Sequence, residues 1–225
     1  MKNNGSIGLL FHKQSNRERS GEPVEVCRIL CYNDGKPNCQ EAYTVSTSSE
    51  IRELALKTGF FEAGCVNIKT LQFYPEVRAI CEKNTCRNYG TSWACPPAVG
   101  TVEECRERVE QYQKMLLFSK KYELEDSFDL EGMLAGMQDF KRTVDAFHKA
   151  VEPVLPRFLL LSNEGCGRCK TCTYPDAPCR FPKMLHHSLE GYGFIVSELA
   201  AEAGVHYING TNTVTFFGAI LFDEK

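Results

Sequence analysis

The chain has 225 residues, 43% hydrophobic and 24% charged, with a formal net charge of −3. A chain of that length buries a core without a covalent or metal staple, so its twelve cysteines need another explanation. The mild acidity argues against nucleic acid or an anionic membrane surface as partner.

The opening segment, Met1 to Ser20, lacks the apolar core of a secretory signal. No later stretch reaches the roughly 18 apolar residues that a membrane span needs. A cytoplasmic location is expected, where thiols stay reduced and dense cysteine reads as metal ligation or redox chemistry instead of a disulfide framework.

Residues 1–44 are polar and carry Cys27, Cys31 and Cys39. They read as an extension with at most a small hairpin, ahead of a single domain over 45–225. A first helix is predicted from Ser48 or Ser49 to a C-cap at Gly59, with Glu50 and Glu53 on its favourable N-terminal end. Val66 to Leu71 alternates apolar with polar and reads as a strand. After a loop from Cys81 to Pro97, Thr101 and Glu104 have the spacing of a capping box, opening a helix to about Gln113. Lys114 to Ser119 is an apolar run of strand length.

Met133, Met137, Phe140, Val144, Phe147 and Val151 then recur at steps of four and three, the apolar stripe of a long helix ended by Pro153. Arg157 to Leu161 reads as a strand that leads into the second cysteine loop. Ser188 is the expected N-cap of a helix with Leu189, Tyr192, Val196, Leu199 and Ala203 on one side, ending at Gly204. Val205 to Ile208, Asn209-Gly210 and Val214 to Phe222 suggest a closing strand pair. The predicted fold is α/β or α+β: a central mixed sheet, flanking helices and two cysteine-rich loops.

The sharpest motif is Cys166-x2-Cys169-x2-Cys172-x6-Cys179. Two successive x2 spacings let one tight loop wrap three corners of a [4Fe–4S] cubane while a more distant cysteine closes the fourth. Gly165 and Gly167 permit the backbone angles of such a wrap, and Arg168, Lys170 and Arg180 set positive charge beside an anionic cluster. Zinc is the rival occupant, because four thiolates also make a closed tetrahedral site.

A second set is Cys81-x4-Cys86-x8-Cys95, followed by Pro96-Pro97, with Cys105 ten residues beyond Cys95. Proline suits the exit of a cluster loop because it fixes the backbone and leaves no N–H to satisfy. Cys105 either supplies a fourth thiolate from the first turns of the capped helix, or is a small buried apolar residue on the Val102, Cys105, Val109, Tyr112 face. Cys27-x3-Cys31-x7-Cys39, to which Cys65 could add, matches no cluster motif; the radical-generating C-x3-C-x2-C loop would need a cysteine where Asp34 stands.

The runs Cys86 to Pro97, Glu164 to Cys169, Cys179 to Pro182 and Ser188 to Gly193 together closely resemble the prokaryotic predicted metal-binding protein family, domain of unknown function number 2284, over about residues 60–222. The resemblance implies metal binding through the two cysteine loops and an origin in organisms that often live without oxygen. It implies no activity.

Tyr89 and Trp93, the single tryptophan, lie in the first loop, where a ring can shield a cluster or simply fill the core. His186 and His187 could titrate near neutrality or serve as ligands, against the plainer reading of a surface pair. Glu190 fits a helix dipole. No phosphate loop, dinucleotide fingerprint, hydrolase elbow or zinc-protease helix motif is present in the sequence.

The expected function is therefore an iron–sulfur protein with one or two cubane clusters. Two clusters would exchange single electrons with a redox partner protein. The alternatives are an enzyme whose three-cysteine cluster offers an open iron to a small-molecule substrate or sulfide, and a zinc-binding structural or interaction module. The sequence sets no oligomeric state.

Overall fold

The computed structural model describes residues 32–33, 36–37, 47–163 and 165–224. The chain divides into a short unit, Met1–Ala42, and a main unit, Tyr43–Lys225. In the short unit Tyr32–Asn33 (β1) pairs antiparallel with Lys36–Pro37 (β2). Cys27, Cys31 and Cys39, and with them the question of a third metal set, lie outside the described residues.

The main unit is α+β, built on a mixed five-stranded sheet in the order β3-β4-β7-β5-β6. Helix α1 (Ser48–Thr58) starts at a reciprocal cap between Thr47 and Glu50 and stops at Gly59, whose φ of 111° only glycine adopts without strain. Strand β3 spans Glu62–Val66, so the expected strand from Val66 to Leu71 is displaced. Ile68–Thr70 form a 3₁₀ turn capped by Asn67 instead. Helix α2 (Pro75–Glu82), with proline in its first turn, was not legible as a helix. Helix α3 (Val102–Glu110) opens at the predicted Thr101–Glu104 capping box.

Strand β4 (Lys114–Glu123) pairs antiparallel with both β3 and β7 (Thr213–Phe222). Helix α4 covers Leu130–Val151, and β5 covers Phe158–Ser162. The predicted helix from Ser188 does not form as one piece. His187–Ser188 (β6) pair parallel with β5, Glu190–Tyr192 make a 3₁₀ turn ended by Gly193 at φ 83°, and helix α5 runs only over Val196–Ala203. Residues 205–208 form no strand, because β7 finds its partners in β4 and β5.

β4 and β7 have apolar residues on both faces because both faces are covered. Met115 and Leu117 of β4, with Phe217, Ala219 and Leu221 of β7, join α3 and α5 in one core. Leu116, Phe118, Ile220 and Phe222 point the other way and join α1 and α4. In that second core Phe60, Phe118 and Phe147 pack with centroids 4.1 and 5.5 Å from Phe60. Among the described residues no helix is long and apolar enough to cross a membrane.

The close approach of α5 to β3 depends on Gly64. A Cβ there would collide with the Ala203 carbonyl and lie 3.2 Å from the Ala203 Cβ. Gly64→Ala should destabilise the fold by roughly 2–3 kcal/mol through overpacking. The measurement is the urea midpoint, and an unchanged midpoint would show that α5 does not rest on β3.

Candidate metal centre

Strand β5 delivers the chain to Gly165, and the backbone turns through Gly165 and Gly167, both left-handed at φ 63° and 67°. Beyond them Cys166, Cys169, Cys172 and Cys179 together line a cavity of about 350 Å³. Trp93, from the first loop, lines it as well, meeting Tyr174 edge-on at 4.9 Å and donating its indole N–H to the Ala177 carbonyl at 3.1 Å. Arg180 donates to the Thr171 carbonyl at 2.9 Å, which closes the loop on itself. Burial alone would push the Cys172 thiol up. The backbone N–H groups of Tyr174, Trp93 and Thr173 and the nearby Arg180 charge outweigh it and hold that thiol below its ordinary value.

Cys81, Cys86 and Cys95 line a neighbouring cavity of about 520 Å³. Cys81 sits on the last turn of α2, which is fixed by Arg78 donating to the Gly191 carbonyl at 2.7 Å and the Gly100 carbonyl at 2.8 Å. The loop around Cys86 is tight enough to hold Asn84 and Arg87 in left-handed backbone at φ 54° and 61°. Cys95 is buried; its sulfur accepts the Gly165 N–H at 3.3 Å and lies 3.9 Å from the Ser188 hydroxyl. Burial pushes its thiol up to about 11, against the pull of those two donors.

The two cysteine sets therefore meet: Gly165 of one loop touches Cys95 of the other, and Asn88 lines both cavities. Cys105 is elsewhere. It is fully buried in the core beside Val99, Val109 and Tyr192, its sulfur directed at the Val99 carbonyl (3.5 Å) and the Gly191 carbonyl (3.9 Å), and it lines neither cavity. The capping box forms as expected, but the helix it starts turns Cys105 into the core. Cys65, exposed on β3, lines neither cavity. Among the described residues no three His, Cys, Asp or Glu side chains converge closely enough to hold a single metal ion.

Sequence reasoning missed what holds the second loop from behind. Lys141, Asp145 and His148 follow one another along α4 at steps of four and three, on one face of the helix. Lys141 donates to the Gly165 carbonyl at 2.6 Å and Asp145 pairs with Arg168. His148 Nδ1 meets His186 Nε2 at 3.0 Å, and His186 Nδ1 lies 3.8 Å from Asp145. His186 is thus a buried brace, and His187 Nδ1 is 3.0 Å from the Tyr192 hydroxyl, which also accepts from Arg108 at 2.6 Å. Neither histidine lines either of these two cavities. Glu190, read from sequence as a dipole partner, lines the larger cavity. The available signal was the polar stripe beside the apolar stripe of α4.

Burial, with the His148 and Arg168 charges, lowers His186 to about 3, and burial with Arg108 lowers His187 to about 4. The unfolded chain takes up these protons near pH 6.5, before the fold does. Stability should be complete above about pH 6.5 and fall by on the order of a few kcal/mol as pH drops toward 4. Thermal unfolding across that range tests this, and His186→Asn should flatten the slope.

A family model described as "Predicted metal-binding protein (DUF2284)" matches residues 64–222, a span that contains both cavity-lining cysteine sets. No curated protein and no solved structure matches the chain. The match covers well over half of the sequence, and the chain belongs to the DUF2284 family of predicted metal-binding proteins.

Proposed function

We propose that the protein is an iron–sulfur redox protein with two adjacent centres: a cluster held by Cys166, Cys169, Cys172 and Cys179, and a second held by Cys81, Cys86 and Cys95. The observation that carries this reading is the pair of abutting cavities, each lined by one cysteine set. The donors offered are cysteine sulfurs throughout, which suits iron–sulfur clusters. Two successive Cys-x2-Cys spacings suit a cubane loop, whereas structural zinc more often takes two separated Cys-x2-Cys knuckles.

Such clusters supply single-electron steps, and one with a free iron also supplies a Lewis-acid position. The chain's residues set the conditions. Arg168, Lys170 and Arg180 offset negative charge around the four-cysteine set, and Trp93 limits water there. The Gly165 N–H on Cys95 withdraws charge from that sulfur. Three cysteines in the larger cavity, with Cys105 committed to the core, favour an open position in the first centre and protected electron transfer through the second. A redox partner protein would exchange electrons at the four-cysteine loop.

Protein purified without oxygen should be brown and hold about eight irons per chain with acid-labile sulfide. A value near four would leave one set occupied, and colourless protein with stoichiometric zinc would sink the reading. Cys169→Ser should remove about half the iron, while Cys105→Ala should leave iron and sulfide unchanged and cost roughly 1 kcal/mol of stability. Loss of iron in Cys105→Ala would return that residue to the ligand set.

A further inference from the structure

We infer that the exposed face of the four-cysteine loop, with Lys170, Arg180 and Lys183 accompanying the Phe181 ring, is the docking surface for a small acidic electron-carrier protein. This deepens the proposal above and rests on the four-cysteine set holding a cluster.

The distribution of charge carries the first half of the inference. Residues 83–100 and 164–187 hold six cations (Lys83, Arg87, Arg168, Lys170, Arg180 and Lys183) and two carboxylates (Glu164 and Asp176), a formal net of +4. The whole chain stands at −3, which leaves −7 for everything else. Bound clusters with thiolate ligands subtract from the positive charge without reversing that contrast. A basic carrier is drawn to the acidic remainder of the chain, away from the cysteines. An acidic carrier is repelled there and steered to the loops.

Local partners decide which cations are available to it. Arg168 is committed to Asp145, and Lys141 to the Gly165 carbonyl. Arg180 gives an N–H to the Thr171 carbonyl, a neutral group, and so keeps its charge. Lys170, Arg180 and Lys183 are exposed, and among the described residues none of the three enters an ion pair. Phe181 follows Arg180 directly and is 47% exposed. Its backbone N–H donates to the Cys179 sulfur at 3.4 Å, so this ring stands on the surface immediately beside a proposed cluster ligand. The four cysteines are themselves only partly buried, which brings a cluster's edge close to whatever docks here. The ring offers short-range contact and the cations offer direction, the two components of a weak, fast encounter.

The test mixes the full chain, purified without oxygen, with a plant-type [2Fe–2S] ferredoxin as the acidic probe and cytochrome c as the basic one. Calorimetry at low ionic strength is repeated at about 1 M salt, where the screening length falls to about 3 Å. Ferredoxin should bind, and the added salt should weaken it at least about tenfold. Lys183→Glu should weaken ferredoxin about fivefold at low salt while iron content stays the same. Lys57→Glu makes the same change in net charge on α1, which packs on β3 and β4, whereas the four-cysteine loop joins β5 to β6 at the other edge of the sheet. It should change ferredoxin affinity less than about twofold. Phe181→Ala should cost about fivefold at both salt concentrations, as loss of an apolar contact does. Cytochrome c should be weakened by neither Lys183→Glu nor Phe181→Ala.

The inference is overturned if ferredoxin ignores the iron-loaded protein, or if Lys57→Glu and Lys183→Glu act alike. It is overturned equally if a short DNA duplex binds more tightly than ferredoxin through the same residues, because the face would then be a site for polyanions in general. Iron and sulfide assayed on the same samples separate the two readings. Iron-loaded protein without this discrimination would sink the inference alone, and protein without iron would sink the cluster proposal and the inference with it.

Discussion

At Gly165 the backbone faces two demands at once. Its N–H reaches the Cys95 sulfur and its carbonyl accepts from Lys141 on α4, while its φ of 63° belongs to the left-handed region. A Cβ at this position would stand 2.9 Å from the Asn88 side-chain oxygen, and Asn88 lines both cavities. Glycine meets all of these conditions because it lacks a side chain. The loops touch here as well as where Trp93 meets Tyr174 and Ala177, and it is at Gly165 that the long helix grips them.

The scaffold explains why that grip is firm. α4 buries Phe140, Val144, Phe147 and Val151 against the sheet, which fixes its rotation. Its polar face, with Lys141, Asp145 and His148, is then held toward the Gly165–Arg168 turn and His186. The apolar stripe and the polar brace are two consequences of one helical period. The asymmetry between the cavities has a similarly local origin: cations interleave with the cysteines in one motif, whereas the other cavity borrows the apolar inner ends of α2, β7 and the segment before α5.

Elements with strong local chemistry were legible in the sequence. The α3 capping box, the Gly59 stop, the α4 stripe and the grouping of Cys166, Cys169, Cys172 and Cys179 depend on neighbours close in the chain. The errors came where tertiary partners decide. Glycines at 191 and 193 turn the expected helix after Ser188 into a 3₁₀ turn, and β3 takes its register from β4 through Glu62, Ala63 and Gly64, weak strand formers in isolation. α2 is short, and it forms where Arg78 docks onto two distant carbonyls. Cys105 was undecidable from spacing: the same capped helix serves either role, and the direction of its buried face chose the core.

Trp93 stands against the four-cysteine cavity and is the only tryptophan in the chain. The protein thereby carries a built-in optical reporter. Indole emission overlaps the broad absorption of iron–sulfur chromophores, so filling that cavity would quench nearly all of the molecule's tryptophan fluorescence by energy transfer. Because energy transfer reaches well beyond the separation of two abutting cavities, a chromophore in either one would register as a change in that emitted light.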